Sequence, residues 1–224
     1  MKNFKISPSL ICADEERMEE QITEIKRLGI EFLHTDIIDG KFSPDIPLTY
    51  ERLDRITAKT DMPLDFHIMA TDNEYHIKKA LEYNASQICF HCEAEIHVDR
   101  MLNLIKANGV KCGLALAPAT PLSVLDYVAE ICDFVLLMLI NPGYASAGTE
   151  KLVPYAFRKI EDCRRYLDER GLNIPIEVDG RVSADVIPSM AKAGAEIFVS
   201  GSTGVFAKGR SIRENYVLIE NSLK

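Results

Sequence analysis

Four side chains stand out for the chemistry they offer: His34, Asp36, His67 and Asp179. Two imidazoles and two carboxylates suit one divalent zinc, iron(II), manganese or cobalt ion, and the donor types alone do not choose among these. Spacing sharpens the point. His34 and Asp36 are two residues apart, as are Asp65 and His67, so on extended backbone each pair turns to one face. All four lie near the carboxyl ends of apolar, β-branched runs: His34-Thr35-Asp36, Asp65-Phe66-His67-Ile68-Met69 and Glu177-Val178-Asp179-Gly180. Any one of them alone reads equally well as a polar residue satisfied by an Asp–His hydrogen bond. Together, at strand ends, they point to a metal site.

Glycines offer a second chemistry. Asn141-Pro142-Gly143-Tyr144, Asp179-Gly180 and Gly201-Ser202-Thr203-Gly204 each follow an apolar run, where backbone N–H groups can approach a phosphate. A single glycine more often only makes a turn. Cys89-Phe90-His91-Cys92 contains a CxxC, but no second pair exists and alternation separates the two thiols, so a cysteine metal site is a poor reading. Met69 and Met138, near two strand ends, read equally as core filler or as an apolar rim.

These residues need elements to hold them. Candidate strands are Ile6–Cys12, Phe32–Ile38, Leu64–Met69, Gln87–His91, Lys111–Leu116, Phe134–Ile140, Ile174–Asp179 and Glu196–Ser200. Helical spacing marks Ala13–Leu28, Glu74–Tyr83, Val98–Lys106, Pro121–Ile131, Leu152–Arg170, Ala184–Ala193 and Ile212–Ser222. Eight strands in 224 residues leave about 28 residues per β-α unit, a lean (β/α)8 TIM barrel in which chemistry belongs at the strands' carboxyl ends. The rival, an open doubly wound sheet, often carries a glycine fingerprint after its first strand; here Ala13-Asp14-Glu15-Glu16 follows. No composition break marks a linker, so residues 1–224 are expected to form a single α/β barrel domain.

Composition bounds the partners. The chain carries 26 basic and 34 acidic residues, a net charge of −8, which argues against nucleic acid and anionic membranes as partners. The amino terminus lacks a secretory pattern and no apolar run approaches membrane length, so a cytoplasmic protein is expected. Six cysteines are dispersed among apolar residues, as expected of reduced thiols.

From Ile6 to about Ser222 the sequence resembles the ribulose-phosphate 3-epimerase family. The likeness rests on Ser7-Pro8-Ser9-Leu10, the stretch from His34 to Pro44, Leu64 to Met69, Ala117-Pro118-Ala119-Thr120-Pro121, Asn141-Pro142-Gly143, Ile176 to Gly180 and Val199-Ser200-Gly201-Ser202. The resemblance implies a barrel of the ribulose-phosphate-binding type that holds one divalent metal, zinc first, on His34, Asp36, His67 and Asp179. It implies Asp36 and Asp179 as acid and base in a two-base transfer of the C3 proton, through an enediolate that the metal stabilises, interconverting D-ribulose 5-phosphate and D-xylulose 5-phosphate. Ser9 and His67 fall on substrate-contacting positions, Met69 and Met138 on a methionine collar, and Gly143, Gly180, Gly201 and Ser202 on the loops around the phosphorylated ketose. A homo-oligomer, dimer or hexamer, is also implied.

Three positions depart from the family pattern. Ile38 replaces a third collar methionine. Arg181 stands where a glycine or small residue is usual, and either reaches the phosphate with its guanidinium or points to solvent. The loop Pro142 to Thr149 reads longer and lacks a glutamine. The stretches Ser7 to Cys12 and Gly201 to Phe206 are more similar to the D-allulose-6-phosphate 3-epimerase branch, which keeps that hexulose phosphate, or another ketose phosphate, open as substrate. The orotidine-phosphate decarboxylase group shares the barrel but places a lysine two residues after its strand aspartate, where His67 stands here. A non-catalytic barrel is the remote alternative.

Overall fold

Eight parallel strands form one sheet in the order β1-β8-β7-β6-β5-β4-β3-β2 in the computed structural model, which describes residues 4–145 and 149–224. The strands are β1 Lys5–Pro8, β2 Leu33–Ile38, β3 Leu64–Met69, β4 Ala85–His91, β5 Lys111–Leu116, β6 Phe134–Met138, β7 Ile176–Asp179 and β8 Ile197–Ser200. The first strand pairs with the last, Lys5 opposite Ile197. A single parallel bridge, Ser9 to His34, joins the sheet's two outer strands and brings it round into a barrel.

The expected strand count and order of units hold. The bounds differ where the backbone chemistry differs. The first strand ends at Pro8, which has no N–H to give the ladder, and Leu10–Cys12 turns into a 3-10 helix instead of extending the strand. Helices α1 Met18–Arg27, α2 Tyr50–Thr57, α3 Asn73–Ala80, α4 Val98–Ala107, α5 Ala156–Glu169, α6 Ile187–Ala193 and α7 Ile212–Ser222 surround the sheet. Of these, α2 was not expected. It is mostly charged and buries only Leu53 and Ile56, too few positions to make a visible period, and it starts where the Thr49 hydroxyl caps the Arg52 N–H. The helix expected over Pro121–Ile131 is a correction: only Leu122–Leu125 is helical, and as 3-10. Beyond it, Val128 and Ala129 both bond back to the Leu125 carbonyl, in a run of turns.

Two cores result. Outward-facing strand residues such as Phe66, Phe90, Leu137 and Phe198 pack under the helices, against Ile25 of α1, Leu102 of α4 and Ile160 of α5. Covering both faces in this way buries a parallel sheet. The barrel interior holds a second, smaller apolar cluster: Cys89, Ala115, Phe134, Leu136, Met138 and Ile140, all from β4 to β6 and the residues just after. A Cβ on Gly113 would meet the Phe134 ring at 2.5 Å, so a glycine there makes room for the ring that fills this side. The opposite interior wall is polar. Ser7, His34, Asp36, Asp65, His67, Gln87, His91 and Glu177 are all buried, and they come from β1 to β4 and β7.

Candidate active site

The strand alternation puts both pairs where the sequence suggested. His34 and Asp36 on β2, and Asp65 and His67 on β3, are all buried inside the barrel, with His34 opposite Asp65 and Asp36 opposite His67 in the ladder. Asp179 ends β7 and comes to the same place. His34 Nε2 lies 3.2 Å from Asp36 Oδ1; His67 Nδ1 lies 3.3 Å from that same oxygen and 3.7 Å from Asp179 Oδ2. The four residues each offer one ligand atom within 4.8 Å of the others.

Local hydrogen bonds aim these groups. Ser9 Oγ donates to Asp36 Oδ2 at 2.9 Å. His34 Nδ1 is 2.7 Å from Asp65 Oδ2, which also accepts from the Ser7 hydroxyl at 2.7 Å; Gln87 Nε2 donates to Asp65 Oδ1 and to Glu177 Oε2. With Nδ1 engaged, His34 Nε2 is left buried with no hydrogen-bond partner. An orphaned imidazole nitrogen beside two carboxylates and a second imidazole is a donor set that fits a divalent cation.

The two aspartates sit in opposed electrostatic conditions. Burial works to raise Asp36, but the charge of His34 and the close approach of the His34 and His67 rings outweigh it and hold this carboxyl well below the usual range. Burial first, and the charge of Asp36 second, push Asp179 up to about 7. The acidities of the two nearby carboxyls are thus pushed apart. Beside Asp65, Glu177 is pushed well above the ordinary carboxyl range by burial and by the charge of Asp65.

Above the cluster is a cavity of about 330 Å³. Of the residues expected at the site, Ser9, Asp36, Met69, Met138, Gly143, Asp179, Gly180, Arg181, Gly201 and Ser202 line it, as does Ile38. His34 and His67 lie beneath, fully buried, and do not line it. Thr203, from the expected glycine loop, also lines it, as do Asp45 and Ile140, which sequence reasoning did not single out. The last expected loop, Pro142 to Thr149, falls in part on residues 146–148, outside the described residues.

Two glycines have a steric task as well. Gly143 has φ +79° and a Cβ there would run into Ser43, whose hydroxyl donates to the Pro142 carbonyl at 3.0 Å, so the loops after β2 and β6 interlock. Gly180 has φ +114°, with Ile140 against it. Arg181 follows at φ 54°, the one non-glycine residue with positive φ among those described. Its Nε donates to the Glu150 carbonyl at 2.9 Å, which draws the side chain along the cavity rim toward the β6 loop. Ser202 to Phe206 form consecutive turns, with the Gly204 and Phe206 N–H groups bonded to the Gly201 carbonyl.

A parallel barrel with a polar cluster and glycine loops at its carboxyl end defines the class, and solved structures share the fold. A 3-hexulose-6-phosphate synthase matches with a TM-score of 0.69 at 17% identity, covering 98% of this chain and 100% of that one. The tryptophan synthase α-subunit of Pyrococcus furiosus matches with a TM-score of 0.66 at 16% identity, covering 100% and 98%. Sequence comparison is more specific. The model of the ribulose-phosphate 3 epimerase family matches residues 5–206. The ribulose-phosphate 3-epimerase of Buchnera aphidicola is 40% identical over 92% of this chain and 89% of its own length, and that of Escherichia coli is 40% identical over 90% and 89%. The chloroplastic ribulose-5-phosphate-3-epimerase of Arabidopsis thaliana is 36% identical over 91% and 72%. The chain belongs to the ribulose-phosphate 3-epimerase family.

Proposed function

We propose that this chain, as one catalytic domain, interconverts D-ribulose 5-phosphate and D-xylulose 5-phosphate. The observation that carries the reading is the pair Asp36 and Asp179: two carboxyls on different strands, flanking one cavity, with acidities pushed apart. Epimerisation at C3 of a 2-ketose removes the proton alpha to the carbonyl and returns one on the other face, which two such carboxyls can do as base and acid. His34, Asp36, His67 and Asp179 hold one divalent metal, zinc by preference. When bound, that ion supplies Lewis-acid stabilisation of the negative charge developing on the substrate's oxygens.

The remaining roles fall to side chains of the cavity. Ser9 orients Asp36 and contacts the substrate. Met69, Met138 and Ile38 make an apolar rim that excludes water from the reacting carbon. The backbone at Gly143, Gly180, Gly201 and Ser202 receives the phosphorylated end, and Arg181 turns its guanidinium to the phosphate, for which a planar fork of donors is suited. Assembly as a homo-oligomer, dimer or hexamer, belongs to this reading through the family resemblance. The reading places the enzyme in the cytoplasm. Among the described residues no helix is long and apolar enough to cross a membrane, and the excess acidic charge supports neither nucleic acid nor membrane as partner.

A second reading, epimerisation of D-allulose 6-phosphate, draws support from Cys12 and Thr203. Both belong to the stretches similar to that branch, and both line the cavity. The deciding measurement is kcat/KM of one preparation on ribulose 5-phosphate, allulose 6-phosphate and tetrulose phosphates. The highest value on ribulose 5-phosphate is expected; a higher value on the hexulose phosphate reverses the order of the two readings, and turnover of none refutes both.

A further inference from the structure

His67 is engaged on both edges of its ring. Its Nδ1 faces Asp36 and Asp179, while its Nε2 lies 3.1 Å from Nε2 of His91 at the end of β4. His91 is itself buried and held from three sides. Its Nδ1 is 2.8 Å from Glu93 Oε2, and the Phe42 ring packs against it with centroids 4.9 Å apart. Glu93 is fixed in turn: its Oε1 accepts from the Ala117 N–H at 2.7 Å and from the Thr120 hydroxyl.

The donors and acceptors in this chain leave few arrangements for a neutral pair of rings. An ionised carboxylate only accepts, so His91 carries its hydrogen on Nδ1, toward Glu93. His91 Nε2 is then an acceptor, and the partner 3.1 Å away must donate. With a cation held between Nδ1 and the two carboxylates, His67 therefore carries its hydrogen on Nε2 and directs the Nδ1 lone pair at the ion; without one, Nδ1 lies 3.3 Å from Asp36 Oδ1, within hydrogen-bond reach. His34 is turned the other way, with Nδ1 on Asp65 and Nε2 toward Asp36.

We propose that His91, oriented by Glu93, is a positioning residue that selects the His67 tautomer able to bind metal through Nδ1. The inference rests on His67 being a metal ligand, as proposed above. It gives the two ligand histidines different supports: a carboxylate behind His34, and a neutral imidazole relayed to a carboxylate behind His67. Partners of this kind fix a ligating ring and raise its basicity, and their loss typically costs 10–100-fold in metal affinity.

The test is zinc affinity, measured against a competing chromophoric chelator, for the parent chain, His91→Phe, His91→Gln and Glu93→Gln. His91→Phe keeps a ring against Phe42 but offers His67 no acceptor, and its affinity is expected to fall about 10–100-fold. His91→Gln, whose amide oxygen can take the place of Nε2, is expected to recover most of that loss. Long-range 1H–15N spectra of the metal-free protein should show more of the His67 hydrogen on Nε2 in the parent than in His91→Phe. Equal affinity of parent and His91→Phe overturns the proposal, as does an equal loss in His91→Phe and His91→Gln. A parent that binds no zinc overturns the metal reading along with it. If circular dichroism shows that His91→Phe does not fold, Glu93→Gln carries the test: affinity below the parent's supports the relay, and affinity equal to it refutes the relay.

Discussion

Ser9 Oγ donates to Asp36 Oδ2 at 2.9 Å across the seam where the first strand meets the second. The bond fixes one oxygen of Asp36 and leaves the other toward His34 and His67. A hydrogen bond to a charged group contributes roughly 1.5–3 kcal/mol. If it acts on the orientation of the reacting carboxylate, Ser9→Ala should lower kcat/KM about 10–100-fold, with little change in unfolding temperature. Steady-state kinetics beside thermal unfolding separate the two effects, and unchanged kcat/KM would free Ser9 of this task.

Asp36→Asn and Asp179→Asn should each abolish epimerisation, because an amide neither takes nor returns the C3 proton. The parent in deuterated water should place deuterium at C3. Near-normal turnover in either variant, or no label at C3, contradicts the two-carboxyl assignment.

Arg181 occupies left-handed backbone at φ 54°, at a cost of about 1–2 kcal/mol for a residue with a Cβ. Arg181→Gly relieves that strain but loses the hydrogen bond to the Glu150 carbonyl, about 1 kcal/mol. Stability should therefore change little. KM for a phosphorylated ketose should rise at least about tenfold, equivalent to 1.4 kcal/mol, while kcat holds. A KM that stays at the parent value assigns Arg181 to the loop rather than to the substrate.

Gly113→Ala should destabilise the barrel by about 1–3 kcal/mol, the usual cost of overpacking, since its Cβ would meet the Phe134 ring at 2.5 Å. Trimming that ring in Gly113→Ala with Phe134→Leu should recover part of the loss. Denaturant unfolding of the two single variants and the double variant checks this; simple additivity would show that the two positions do not compete for space.

Asp39, just after β2, accepts from the N–H groups of Lys41, Phe42 and Thr71 and from the Thr71 hydroxyl. Burial works to raise it, but these donors outweigh burial and lower it to about 2. The ionised form is favoured in the folded chain, so its stabilisation is complete above the unfolded value of about 4 and is lost as pH falls through about 2. The carboxyl 13C resonance of Asp39 should titrate with a midpoint near the lower value, and Asp39→Asn should flatten the acid limb of the stability curve. A midpoint at the ordinary aspartate value would detach this cap from the loop's stability.

Period-two patterning made β3 and β5 legible residue for residue, because their apolar runs stop sharply at both ends. The same alternation placed His34, Asp36 and His67 on the interior face. It also held the supporting shell in part, since Asp65 shares a face with His67 and Glu177 with Asp179. Gln87 was beyond it, and Glu93 was legible only as a polar residue at the end of the fourth strand, without its role. Gln87 matters because it meets Glu177 from the far side of the barrel, and Glu93 because it leaves the strand and bonds to the loop after β5. The α2 helix was hidden for a different reason: Thr49, Leu53 and Ile56 carry its signal amid charged neighbours.

The pairing of β1 with β8 also sets an order of events during synthesis. The amino-terminal strand is made first, yet its ladder partner is the last strand to leave the ribosome. Until then, among the described residues, the single ladder bridge it can make is that from Ser9 to His34, and a contact so distant along the chain is slow to form. Ser9 therefore reaches Asp36 securely only once β8 has been made. A nascent chain that already holds His34, Asp36 and His67 still lacks Asp179 and the strand that steadies Ser9, so the four-residue cluster is completed only after β7 and β8 have been made.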